Sequence, residues 1–161
     1  MMINFKKAAQ LFVWIFVLLA MSFVLGKITR GAIPDWYEHI NRSPLTPPNY
    51  TFGIVWPILY ILIALGGWMI WDLGIIFDLT LVKKLYVFQL ILNWSWSPLF
   101  FAYKSIGAAL ICLIALVFTV CFLIYELYTD ERTKNISFLF APYAFWLFFA
   151  MYLNWFIWMN N

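Results

Sequence analysis

SIGAALICLIALVFTVCFLIY, residues 105–125, is a run of 21 residues without one charged side chain. A helix rises about 1.5 Å per residue and a hydrocarbon core is roughly 30 Å thick, so about 20 apolar residues cross it. The same length recurs outward in both directions. Leu85–Tyr103 has 19 uncharged residues, Tyr50–Trp71 has 22, Ala8–Gly26 has 19 and Asn135–Asn161 has 27. All ten basic and all seven acidic side chains fall between or outside these stretches. With 66% hydrophobic residues and a mean hydropathy of +0.90, five such runs leave no polar faces to meet water. The runs are continuous rather than alternating, which excludes a membrane β-barrel. The sequence therefore predicts an all-α membrane protein: a single compact bundle of five transmembrane helices over residues 1–161. Approximate helices are 8–26, 50–71, 83–103, 105–128 and 135–158. Lys6 and Lys7 before the first run resemble the start of a signal peptide, but that run is longer than a usual signal core and no small-residue cleavage pattern closes it.

A net charge of +3 spread without a basic cluster implies no nucleic acid. With five spans, Lys6, Lys7, Lys83, Lys84, Arg132 and Lys134 share one side, against Lys27, Arg30, Arg42 and Lys104 on the other. Six against four places the N-terminus in the cytoplasm by the positive-inside rule, on a thin margin. Cys112 and Cys121 lie about 180° apart on one helix and cannot pair within it, so both read as small hydrophobes. His39, the only histidine, has no second ligand beside it, so neither metal nor cofactor is expected.

One connection is long. Residues 27–49, KITRGAIPDWYEHINRSPLTPPN, carry Pro34, Pro44, Pro47 and Pro48 with Trp36 and Tyr37, and little Gly or Ser. Prolines stiffen such a segment, and Asp35 is placed to cap a short helical turn. A long lid-like loop between helices 1 and 2 is the expectation. Residues 72–84 read as an amphipathic segment at the interface.

Membrane-embedded charges mark ion paths and proton relays, and none is present. That argues against coupled transporters, pumps and intramembrane proteases. Three helix faces remain: Phe52, Trp56, Leu59 and Ile63; Gln89, Asn93, Trp96, Ser97 and Phe100; and Tyr143, Trp146, Ala150 and Asn154. Amides within a bilayer turn toward protein or a cavity. Trp56, Trp96 and Trp146 fit helix packing and a ligand pocket equally, whereas Trp14, Trp155 and Trp158 read as an interfacial belt. Pro57, Pro98 and Pro142 can kink their helices and open space, while Gly66 and Gly67 permit close approach.

In chain order stand Trp36-Tyr37, Leu45-Thr46-Pro47-Pro48, Phe52-x3-Trp56-x2-Leu59-Tyr60, Asn93-x2-Trp96-Ser97 with Phe100-Phe101, and Ala141-Pro142-Tyr143-x2-Trp146-x2-Phe149-Ala150-x2-Leu153-Asn154, then Trp158 and Asn160. This ordered set, from about residue 10 to the C-terminus, resembles the tryptophan-rich sensory protein family, whose animal members are the mitochondrial translocator proteins, or peripheral benzodiazepine receptors. The resemblance implies a five-helix receptor or sensor whose first loop covers a pocket for porphyrins (protoporphyrin or haem-related tetrapyrroles), sterols or flat drug-like molecules. It assigns Trp56 and Trp146 to the porphyrin face, Tyr37 to the loop above it, Asn93 and Trp96 to the third-span wall, and Ala150 to a small residue that leaves room. Pro47, Phe100 and Tyr143 complete the candidate ligand-binding set. It also implies two alternatives: light- and oxygen-dependent porphyrin degradation, with Trp56 and Trp146 as the participating residues, and facilitated porphyrin transport. Two departures bear on partners. No Lys or Arg follows Tyr143 or Tyr152, which disfavours sterol. The third span lacks the small residues at four-residue spacing through which some bacterial relatives dimerise, so a homodimer would need another surface.

Overall fold

The computed structural model describes residues 5–161, and these form five helices with no strand. They are α1 (Phe5–Ala32), α2 (Asn49–Leu73), α3 (Thr80–Ser97), α4 (Ile106–Thr129) and α5 (Lys134–Asn160). α1 runs on through a π-helical turn at Ile33–Tyr37, and α3 through another at Pro98–Ala102. Four helices, α1, α2, α4 and α5, are each long and apolar enough to cross a membrane. α3 is shorter, at 18 residues, and begins with Lys83 and Lys84 in its first turns. Its π turn extends the helical path, and flanking helices cover its polar face.

The helices overrun the uncharged stretches. α1 continues past Lys27 and Arg30, because its 28 residues rise about 42 Å, well beyond the hydrocarbon core. The two cations thus lie where long basic side chains reach the interface. Pro34 does not stop the chain: it sits in the first turn of the π segment, where its fixed φ suits helical backbone and only one N–H is forgone. Asp35 makes no side-chain capping bond there; the turn is an extension of α1 rather than a separate capped helix. The irregular part of the expected 27–49 loop is thereby confined to residues 38–48.

α1 packs on α2, α2 on α5, α5 on α4 and α4 on α3, and α3 with its π turn closes the ring against α1. Close approach comes from Gly66 and Gly67. A Cβ on Gly66 would stand 2.6 Å from the Phe140 ring of α5, and one on Gly67 would meet the Tyr86 hydroxyl and the Trp14 ring. Trp14 is partly buried and packs on its neighbours, with its ring 5.2 Å from Trp71 and 5.7 Å from Tyr86. Trp155 and Trp158 are exposed on α5. Between α2 and α3, Ile75 and Ile76 are exposed apolar residues, and the Asp78 carboxylate accepts from the Thr80 backbone N–H at 3.0 Å to start α3. The Thr80 hydroxyl and then its backbone N–H hold the Asp78 carboxyl below its ordinary range. Lys7 pairs with Asp72 at 2.8 Å, tying the start of α1 to the end of α2.

Candidate functional site

A cavity of about 590 Å³ lies inside the ring, walled by α1, α2, α3 with its π turn, and α5. α4 contributes nothing to it. The volume falls within the range of small-molecule and cofactor sites. Its construction follows from helical periodicity. On α2, Asn49, Phe52, Gly53, Trp56, Pro57 and Tyr60 recur at three- and four-residue steps and present one stripe. On α3 the stripe is Asn93, Trp96 and Ser97, continued by Phe100 and Phe101 on the π turn; on α5 it is Ala150, Leu153, Asn154 and Ile157. Pro57, inside α2, supplies no N–H to the Gly53 carbonyl.

The floor is polar and hydrogen-bonded within itself, except that the Gln89 amide nitrogen is buried without a partner. Tyr60 donates to the Asn93 amide oxygen, the Asn93 amide nitrogen donates to the Tyr143 hydroxyl at 2.7 Å, and Tyr143 donates to Gln89 at 3.2 Å. All four side chains are buried. The Trp96 indole N–H donates to Asn154 at 3.1 Å, and Asn154 donates to the Ile106 carbonyl at 3.1 Å. Thr29 and Ser97 share a hydrogen bond at 3.0 Å between α1 and α3. Burial of this network inside a bilayer demands such partners, because lipid offers none. The walls are aromatic: Trp96 stacks on Phe100 at 5.3 Å, Phe100 meets Phe101 at 4.9 Å and Tyr37 at 6.2 Å, and Trp56 leans on Tyr60 at 5.7 Å.

Of the nine residues picked out from sequence, Tyr37, Trp56, Asn93, Trp96, Phe100 and Ala150 come together around this cavity. Three do not line it. Tyr143 is fully buried one layer behind Asn93. Trp146 packs edge-on against Phe52 at 5.8 Å, and it is Phe52 that borders the cavity. The Trp146 indole nitrogen is buried without a hydrogen-bond partner. Pro47 lines a separate surface groove with Arg42, Phe156 and Asn160. It lies in an outer shell of loop, which is pinned to the end of α5. Asn41 accepts from Asn161 at 3.1 Å and donates to Asn161 and Asn160 at 2.9 Å each, and Ser43 bonds the Tyr152 hydroxyl at 2.9 Å. From Tyr37 to Asn49, only these two end residues reach the cavity.

The α1 wall, which the aromatic and amide pattern does not single out, consists of Leu19, Ser22, Phe23, Leu25, Gly26, Thr29 and Arg30, with Ile33 on the following turn. Its trace in the sequence is the Ser22, Gly26, Thr29 series, small or hydroxylated residues at helical spacing in an otherwise bulky run. No group of three or more metal-ligating side chains occurs among the described residues.

Sequence comparison agrees with this architecture. The profile of the TspO/MBR family matches residues 13–159. The chain is 35% identical over 147 residues to the tryptophan-rich protein TspO of Archaeoglobus fulgidus, covering 91% of this chain and 94% of that one. It is 32% identical over 142 residues to the translocator protein of Bos taurus, covering 87% and 83%. A tryptophan-rich protein TspO of Bacillus cereus is 29% identical over 161 residues, covering 97% of each.

Proposed function

Because the chain belongs to the TspO/MBR family of integral membrane proteins, we propose that its cavity binds a flat, mostly apolar ligand of the tetrapyrrole class and that the protein acts as a membrane receptor or sensor for it. The observation that carries this reading is the composition of the walls. Trp56, Trp96, Phe100 and Tyr37 surround about 590 Å³, and Ala150 leaves open the side where a larger residue would intrude. Aromatic faces suit a planar ring system through offset and edge contacts. Apolar walls with a few fixed polar groups give affinity first and orientation second.

Titration of the purified protein in detergent with protoporphyrin, in the dark, with tryptophan fluorescence as readout, tests the proposal. Saturable quenching is expected. Ala150→Phe fills the cavity from α5 and is expected to weaken binding at least tenfold while the thermal transition stays cooperative. Linear quenching, the same in both proteins, would mean partition into micelles and would remove tetrapyrrole as the ligand. Working in the dark keeps binding separate from photochemistry.

A further inference from the structure

We infer that this cavity has a polarity axis, and that its ligand carries an acidic group which pairs with Arg30 at the mouth. The inference rests on the proposed ligand-binding reading and specifies which members of that class are held. Among the described residues, Arg30 is the only charged side chain lining the cavity, and no carboxylate lines it. Arg30 is exposed at the end of α1 and forms no ion pair with any described residue. Its guanidinium folds back along the helix, with Nη2 3.9 Å from the point where Gly26 would carry a Cβ. Gly26 also lines the cavity, so the guanidinium lies beside the cavity-facing side of α1.

Two further cations support the same field from behind aromatic walls. Lys27 lies over the Phe23 ring at 4.7 Å, and Arg42 over the Tyr37 ring at 5.1 Å, and both rings line the cavity. Asp35 and Glu38 follow on the next turn and are not among the lining residues. The deep end offers no comparable anchor. Asn93, Asn154, Trp96 and Tyr60 already spend their hydrogen bonds on one another and on Tyr143 and Ile106. A ligand's polar group therefore gains most at the mouth, where a guanidinium pairs with a carboxylate in a fixed fork, and its apolar body fills the interior.

Dark titrations in an uncharged detergent with protoporphyrin as the free acid and as its dimethyl ester, against wild type, Arg30→Gln and Arg30→Lys, test this. The ratio of variant to wild type for each ligand cancels differences in micelle partition. Arg30→Gln is expected to weaken the free acid about tenfold, the order of a charge-assisted hydrogen bond at a partly exposed site, and to leave the ester within about twofold. Arg30→Lys recovers part of the loss. In wild type alone, high salt weakens the acid and spares the ester. If Arg30→Gln alters both ligands equally, or neither, and salt does not separate them, the acid anchor is wrong while the pocket stands. If neither ligand binds wild type saturably, the ligand-binding reading falls and takes this inference with it.

Discussion

α1 and α4 are both strongly apolar helices built on long uncharged runs, yet the protein uses them in opposite ways. α4 buries ten residues, Leu113, Leu116, Val120, Leu123 and Leu127 among them, and borders no part of the cavity. α1 buries only Leu18 and Leu25, exposes Phe12, Phe16 and Phe23, and supplies seven residues of the cavity wall. α4 is a packed strut held between α3 and α5; α1 is a loosely attached wall. The difference teaches that hydrophobicity alone does not report role in a membrane protein. Lipid is as apolar as leucine, so a helix is fixed by close packing and polar contacts rather than by its mean hydropathy. Local stability differs accordingly, and binding surfaces come from the less densely packed end of that range.

The strongest test of this contrast is a truncation on the strut. Leu123→Ala, at a fully buried position, leaves a cavity and is expected to cost about 2–5 kcal/mol, read as a lower thermal midpoint in detergent. Affinity of the folded fraction for protoporphyrin should not change. Phe16→Ala on the lipid face of α1, where the ring is 63% exposed, should change neither. A Phe16→Ala loss as large as that of Leu123→Ala would erase the distinction.

Asn93 on α3 ties the cavity floor to α2 through Tyr60 and to α5 through Tyr143. Asn93→Ala takes the partner from Tyr60 and one partner from Tyr143, and a buried polar group left unsatisfied costs about 1–3 kcal/mol. Stability and affinity should therefore fall together, unlike in Leu123→Ala. If stability alone falls, the amide is helix-bridging glue with no part in the ligand wall.

A smaller effect sharpens the wall itself. Trp56 borders the cavity and Trp146 sits behind Phe52. Trp56→Ala should weaken protoporphyrin about tenfold, roughly 1.4 kcal/mol, and Trp146→Ala less than threefold. Equal losses would mean that Phe52 swings aside on binding and admits the Trp146 ring to the ligand.

The same contrast explains what the sequence made legible. Five helices and the aromatic faces of α2, α3 and α5 could be read because charges bound the runs and polar residues such as Asn93 and Ser97 must turn inward. The α1 wall could not. Phe16 toward lipid and Phe23 toward the cavity carry the same signature, and nothing in the pattern states which helix adjoins which. Trp146 misled for a related reason: its helical register is right, but Phe52 from the neighbouring helix takes the place in front of it. The reach of α1 past Lys27 and Arg30 was hidden too, since a charge ends a hydropathy run without ending a helix.

The smallest effect lies at the hinge that holds the strut to its partner. In the turn between α4 and α5, the Asp130 carboxylate accepts from the Arg132 backbone N–H at 2.9 Å and from its guanidinium. The Arg132 guanidinium also covers the Phe77 ring at 4.4 Å. These bonds hold the Asp130 carboxyl down at about 2, against an ordinary 3.8. A depressed carboxyl contributes stability that is present above its unfolded value and lost as pH falls through the folded one. The contribution should be complete at pH 5, shrink between about pH 4 and pH 2, and be small throughout because the pair is solvent-exposed. Comparing thermal midpoints of wild type and Asp130→Asn across that range checks it. The two curves should differ slightly at pH 5 and converge as the carboxyl protonates. A gap that persists unchanged at low pH would mean that Asp130 acts through turn geometry rather than charge, and that the α4–α5 strut needs no ion pair at its hinge.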